Sequence, residues 1–344
     1  MVFSVVTSSN QVPSLGNGVS QPIKQTDYES WLEKLRAASA PPVESSFFTD
    51  WMGVRTRIPM LEWAPSDLAG TTSTSLPVPD DGYRSEDFEY VALARAFHQR
   101  SAATFSIVEA GAAWAPWTVS GLVHARELGI AAVGIALEAD ERKCMWAVQH
   151  AKDNGLAVDL VNEKAHKIVK RVSNLLDRDN PPEQRIIVVR AAGWFETTTV
   201  PFPDTGVNDM GTAVQTHGDW SVDYRGAHLR HSSVPAVSLA DLLRLITSRS
   251  GTVSPLDLLH IDVQGIEFEM LQPLAGDIQS HTRLMAVGTH SRLNEGLLQD
   301  FFLRRGWGLL IDEPCKAEFI MTHPTLPGFT WQDGMQLWEN PFVL

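Results

Sequence analysis

Apolar residues recur along this chain with two periods. Near-continuous apolar runs at 105–110, 130–137, 185–191, 256–261 and 284–288 predict strands buried on both faces. Runs with helical spacing fall between them. They predict helices at Thr26–Ala38, Ser85–His98, Trp117–Leu128, Glu141–Asn154, most of Val158–Asp177, and Ser238–Ser248. In the first of these, Thr26 or Asp27 caps, Tyr28, Trp31, Leu32 and Leu35 share a face, and Pro41-Pro42 stops the helix. Strands alternating with helices predict an α/β fold with a mostly parallel sheet. Glu196–Phe202 adds a strand, and 306–341 reads as edge strands, one of them antiparallel. There Asp333-Gly334 predicts a hairpin turn between Phe329-Thr330-Trp331 and Met335-Gln336-Leu337-Trp338.

The pattern also divides the chain. Residues 1–25, rich in Ser, Asn, Gln, Gly and Pro, predict a disordered arm. Residues 26–84 form an extension, in which 47–63 predicts a strand pair capping the strand ends. Residues 85–344 make one large domain. A polar segment, 203–231, carries His217, Trp220, Tyr224, Arg225, His228 and Arg230, suited to an acceptor-binding loop.

Composition narrows the function. The 344 residues hold 28 basic and 41 acidic side chains, a net charge of −13 that opposes a nucleic-acid backbone as partner. A 44% hydrophobic and 20% charged chain is ordinary for a soluble globule. No apolar run reaches membrane-spanning length, and the first six residues lack a secretory pattern. Cys144 and Cys315 lie far apart without metal spacing, which fits reduced thiols and a cytoplasmic location. Eleven tryptophans supply flat faces, most for packing and some for a sugar or adenine.

The chemistry concentrates at strand tips. Ile107-Val108-Glu109-Ala110-Gly111-Ala112-Ala113-Trp114-Ala115-Pro116 reads as a buried strand, a turn of small residues and a helix start. Such a turn lies at the carboxyl end of the sheet, where open α/β folds bind nucleotides. A carboxylate at Glu109 suits a cationic ligand better than a pyrophosphate, which points to S-adenosylmethionine. Glu138 ends the second strand, placed for two ribose hydroxyls, with capping of the next helix as the alternative. Leu258-Leu259-His260-Ile261-Asp262-Val263-Gln264-Gly265-Ile266-Glu267 is the second informative stretch. Its His260 and Asp262 share one strand face. A later strand ends in Gly288-Thr289-His290-Ser291-Arg292.

These stretches resemble the FkbM family of S-adenosylmethionine-dependent methyltransferases from about Phe88 to the C-terminus, which implies a Rossmann-like α/β methyltransferase fold with a mostly parallel seven-stranded sheet and an antiparallel edge. Departures from the family pattern are Glu109 for Asp, Ala113 for Asn, His260 for Lys, Gln264 for Glu and Gly288 for Glu. The resemblance implies methyl transfer to a hydroxyl of a polysaccharide, lipopolysaccharide or glycosylated metabolite. It implies that Glu109 and Gly111 meet the methionine end of the donor and Glu138 the ribose. Ala191 and Ala192 would border the donor, and Asp262 would sit beside the transferred methyl. A neutral hydroxyl needs a base, and His290 is favoured over His260 and Asp262 because an imidazole titrates near neutrality. Glu267, Arg292 and Trp114 are candidates for holding the acceptor. A divalent metal on His260, Asp262, Glu267 and His290 is the weaker option, since no recognised ligand spacing is present. A nicotinamide dehydrogenase is disfavoured because Ala113 and Pro116 occupy two of the three glycine places. A non-catalytic glycan- or partner-binding module on the same fold is the alternative.

Overall fold

A computed structural model describes residues 21–38, 43–76, 87–100, 104–178, 183–206, 211–214, 230–248, 254–318 and 329–343. The expected arm up to residue 20, the cap at Ser85, and His217, Trp220, Tyr224, Arg225 and His228 lie outside the described residues.

The extension contributes a short helix, α1 (Tyr28–Leu32), and three short strands, β1 (Phe47–Thr49), β2 (Arg55–Arg57) and β3 (Thr71–Thr72). β1 pairs antiparallel with β2, as the 47–63 pattern predicts. It is fixed to the main domain by Arg57, whose guanidinium binds Asp153 at 2.7 Å. The domain continues through α2 (Asp87–Gln99), β4 (Thr104–Ala110), α3 (Pro116–Glu127), β5 (Ala131–Glu138) and α4 (Glu141–Asp153). Next come β6 (Ala157–Val161), α5 (Ala165–Leu176), β7 (Gln184–Arg190), β8 (Ala192–Trp194), β9 (Thr198–Asp204), β10 (Arg230–Ser238) and α6 (Leu239–Thr247). The C-terminal part holds β11 (Leu256–Ile261), α7 (Glu267–Leu271), α8 (Ala275–His281), β12 (Thr282–Thr289), α9 (Arg292–Leu303), β13 (Gly308–Glu313), β14 (Lys316–Glu318), β15 (Phe329–Gln332) and β16 (Gly334–Glu339).

The main sheet has the order β13-β16-β12-β11-β4-β5-β7-β6. Its strands are parallel from β12 to β6, and β16 runs antiparallel between β12 and β13. This is the mixed α/β architecture expected, with eight strands rather than seven. The added strand is β6, cut from the stretch read as helix from Val158. Asn154-Gly155 turns the chain, with Gly155 at φ 69°, and Ala157–Val161 then pairs with β7 as an edge strand. Asp159 interrupts its apolar residues, and its half-exposed burial leaves no clean alternation to mark it as a strand.

The Asp333-Gly334 hairpin is also corrected. β15 pairs with β14, whereas β16 enters the main sheet, so the two arms do not pair with each other. Gly334 is needed for space: a Cβ there would lie 2.3 Å from the Cys315 nitrogen and 2.6 Å from the Glu313 oxygen. No described helix is long and apolar enough to cross a membrane.

Strand alternation sorts the core into two layers. Val108, Ala110, Leu259 and Ile261 face the layer containing α6. Phe105, Ile107, Leu258 and Ala136 face the layer containing α2 and α3. By the same alternation, Glu109, Glu138, His260 and Asp262 fall on the α2/α3 side at the carboxyl ends of their strands. α3 packs tightly here, because a Cβ on Gly134 would lie 2.2 Å from Cγ2 of Thr118. β4 has β5 on one side and β11 on the other, so the chain reverses its direction across the sheet at β4. A crevice opens at such a point.

Candidate functional site

A cavity of about 330 Å³ occupies that crevice. Glu109, Gly111, Trp114, Glu138, Ala191 and Ala192 all line it, as do His260 and Asp262. The turn after β4 explains how. Gly111 has φ 78°, and a Cβ there would lie 1.6 Å from the Asp262 carbonyl oxygen, so the turn presses directly on the end of β11. The Asp262 amide donates to the Ala110 carbonyl at 2.9 Å, locking the two tips together. Ala113 and Ala115 follow at φ 45° and 56°, left-handed conformations that cost alanine roughly 1 kcal/mol or more each. The chain holds them because the Ala113 amide donates to Glu138 at 2.8 Å and Pro116 then starts α3.

The two acidic tips on this side are satisfied by backbone. Glu109, 1% exposed, accepts from the Thr118 amide at 2.8 Å and the Thr118 hydroxyl at 2.5 Å, so it caps α3. Burial raises its pKa to about 7, against the opposing pull of His260 and Thr118. Glu138 accepts from Ala113 and, at 2.7 Å, from the Asp140 amide. Burial also pushes its carboxyl upward, against the attraction of Lys143. The cap of α4 is Asp140, which accepts from the Arg142 amide at 2.7 Å, so Glu138 is free of the capping role weighed for it.

The β11 and β12 tips are built differently. His290 lies behind Asp262, away from the cavity lining, with Nε2 3.3 Å from Asp262 Oδ1 and 3.6 Å from Asp333 Oδ2. Its Nδ1 is 2.8 Å from Glu267 Oε1. Burial alone would lower its pKa, but Glu267, Asp333 and Asp262 outweigh burial and hold the imidazole well above its usual value. Gln264, left-handed at φ 59°, donates to Asp262 Oδ1 at 2.9 Å. Burial, with the charges of Asp333 and Glu89, raises Asp262 to about 6 despite His290. His260 stands 3.5 Å from Glu89 Oε1 and is held neutral, because burial lowers its pKa more than Glu109 and Asp262 raise it.

Three expected site residues take other places. Glu267, fully buried, accepts from the Gly265 amide at 2.8 Å and binds Asn294 and His290, so it lies behind the site and outside the cavity lining. Arg292 faces solvent and pairs with Glu295 at 3.0 Å, the usual fate of a surface cation. His290 is a buried neighbour of Asp262 rather than a cavity-facing group. Among the described residues no group of three or more His, Cys, Asp or Glu is arranged to hold a metal ion.

Sequence reasoning missed Trp63, Glu89, Lys143, Gln264 and Asp333, all in the lining. Glu89 carried a signal: it is a carboxylate on the buried face of α2, with Leu93 and Ala96 at helical spacing. Trp63 reaches in from the extension and packs on Trp114 with ring centroids 5.6 Å apart. Its loop offered no period to place it.

No protein-family profile matches the chain. A protein of Jannaschia sp. (strain CCS1), provisionally named a methyltransferase, is 24% identical over 301 residues, covering 85% of this chain and 92% of that protein. Among solved structures, the METTL16 MTase domain overlaps 74% of this chain and 66% of its own at 11% identity and a TM-score of 0.35. Methyltransferase FkbM from Methylobacillus flagellatus KT overlaps 74% of this chain and 55% of its own at 11% identity and a TM-score of 0.34. This chain therefore spans less than two thirds of either solved chain. The relationship to the Jannaschia protein supports a methyltransferase.

Proposed function

We propose that this protein is an S-adenosylmethionine-dependent O-methyltransferase acting on a hydroxyl of a carbohydrate or glycosylated metabolite, with Asp262 accepting the proton. The observation that carries the reading is the Asp262 carboxylate, which faces the cavity beside the Gly111 turn with a protonated His290 behind it.

The residues present fit the donor. The turn at 111–113 is a cradle of small side chains in which Gly111 admits no Cβ, and Ala191 and Ala192 leave room on the β7 side. Acidic tips favour a cationic donor over a pyrophosphate. Glu138 would hold the ribose, Gly111 and the Glu109-capped turn the methionine end, and Trp114 with Trp63 would wall the cavity. When bound, S-adenosylmethionine supplies an electrophilic methyl, which leaves the protein to align an oxygen and remove its proton.

His290 is unsuited to the base role expected of it. As an imidazolium with both nitrogens directed at carboxylates, it has no lone pair to offer. Asp262 has one oxygen facing Gln264 and His290 and a pKa near 6, closer to working pH than an ordinary carboxylate. His290 positions Asp262, and Glu267 positions His290. The Trp63 and Trp114 faces suit a polyhydroxylated ring. The same arrangement, with the Jannaschia relative, speaks against a non-catalytic binding module.

The test is release of S-adenosylhomocysteine from S-adenosylmethionine across a panel of hydroxylated acceptors, with the new methyl located by NMR. A methyl on oxygen is expected. A methyl on nitrogen, or no release with any acceptor, overturns the reading.

A further inference from the structure

The geometry points to a cationic acceptor: we infer that the acceptor carries a protonated amine beside its reacting hydroxyl, bound where Glu89, His260, Asp262 and Asp333 meet. The inference rests on the methyltransferase reading and names the acceptor class.

Two independent observations support it. The first is the distribution of charge. Among the described lining residues, Lys143 is the sole Lys or Arg, and it belongs to the Glu138 side. The opposite end presents Glu89 from α2, Asp262 from the tip of β11 and Asp333 from the entry to β16. Around His290, the carboxylates of Asp262, Asp333 and Glu267 outnumber the one imidazolium, so among these described groups negative charge predominates. Glu109 is not part of this set, because α3 engages it.

The second observation is His260. It is 3% exposed and lines the cavity, yet neither ring nitrogen makes a hydrogen bond to any described residue. A buried imidazole whose nitrogens lack hydrogen bonds is unfavourable, and a ligand can supply them. Its burial keeps it neutral, so one nitrogen is an acceptor, matched to an N–H donor. An ammonium would give hydrogen bonds to His260 and Glu89 and place a cation within reach of Asp262 and Asp333. A neutral hydroxyl would bring no positive charge to the Asp262 and Asp333 carboxylates. Gly288 lines this corner with no side chain of its own.

Calorimetry on the full chain saturated with S-adenosylhomocysteine tests this near neutral pH, using glucosamine against glucose, galactosamine against galactose, and ethanolamine against ethylene glycol. At least one amine should bind about tenfold or more tightly than its neutral twin. Glu89→Gln should remove that preference while leaving S-adenosylhomocysteine affinity unchanged. Asp333→Asn, on an exposed carboxylate, should reduce the preference in the same way and serves if Glu89→Gln does not fold. Equal binding of every pair, no binding of any amine, or a preference that survives the variants overturns the inference. Loss of S-adenosylhomocysteine affinity in Glu89→Gln also overturns it, because the acidic corner would then serve the donor. Failure of the wild type to bind S-adenosylhomocysteine would remove the methyltransferase reading itself.

Discussion

The two halves of the cavity solve one problem in different ways. Both bury carboxylates at strand tips, where an unpaired charge costs several kcal/mol. On the β4/β5 side, backbone amides satisfy Glu109 and Glu138, so these charges are built into the turn and the helix start. On the β11/β12 side, side chains do it: Asp262, His290, Glu267 and Gln264 satisfy one another. The first arrangement is as rigid as the chain that makes it, and suits a donor that always presents the same groups. The second is poised to exchange a proton, and suits the chemistry.

Gly111 joins the halves, and its replacement should have the largest effect. Gly111→Ala places a methyl 1.6 Å from the Asp262 oxygen. It should cost about 4 kcal/mol or more of stability, read as a large drop in thermal midpoint or loss of soluble protein. A wild-type midpoint would mean that the turn and β11 are not in contact.

Asp262→Asn separates the halves. Turnover should fall by about 10²–10⁴, the usual worth of a general base, while calorimetric affinity for the donor stays unchanged. A parallel loss of donor affinity would merge the two regions into one.

The pH profile sharpens the contrast. Only ionised Asp262 can accept a proton, and its pKa is raised to about 6. With a fixed acceptor, kcat/KM should therefore climb with pH through about 6 and level off above it. The reverse slope would return the base role to a group that acts protonated. The smallest effect belongs to Arg292→Ala, which should change activity little and stability by less than about 0.5 kcal/mol, because the side chain faces solvent and pairs with Glu295.

The same division governs what could be read from sequence. Strands buried on both faces announce themselves as apolar runs, and a polar residue at the end of such a run must lie at a sheet rim. That is why spacing alone puts Glu109, Glu138, His260, Asp262 and His290 at the strand tips, and the first four of them meet in the cavity. Partners are another matter. That Glu109 turns to α3 depends on Ala113 and Ala115 adopting left-handed conformations, which alanine does not advertise. That His290 lies behind Asp262 depends on a buried Glu267 drawing its ring inward. Edge strand β6 hid in a helical pattern because half-exposed strands carry weak periodicity. The Asp333-Gly334 pair signalled a turn where the glycine instead serves a tight crossing beside Cys315.

The central claim is that strand-tip carboxylates shape this cavity for a sulfonium donor. It is tested most directly by calorimetric titration of S-adenosylmethionine into the wild type and Glu138→Ala. One site per chain is expected, weakened about tenfold or more in the variant by loss of a charged hydrogen-bonding group. Absence of binding to the wild type, or equal affinity in the two proteins, would contradict it.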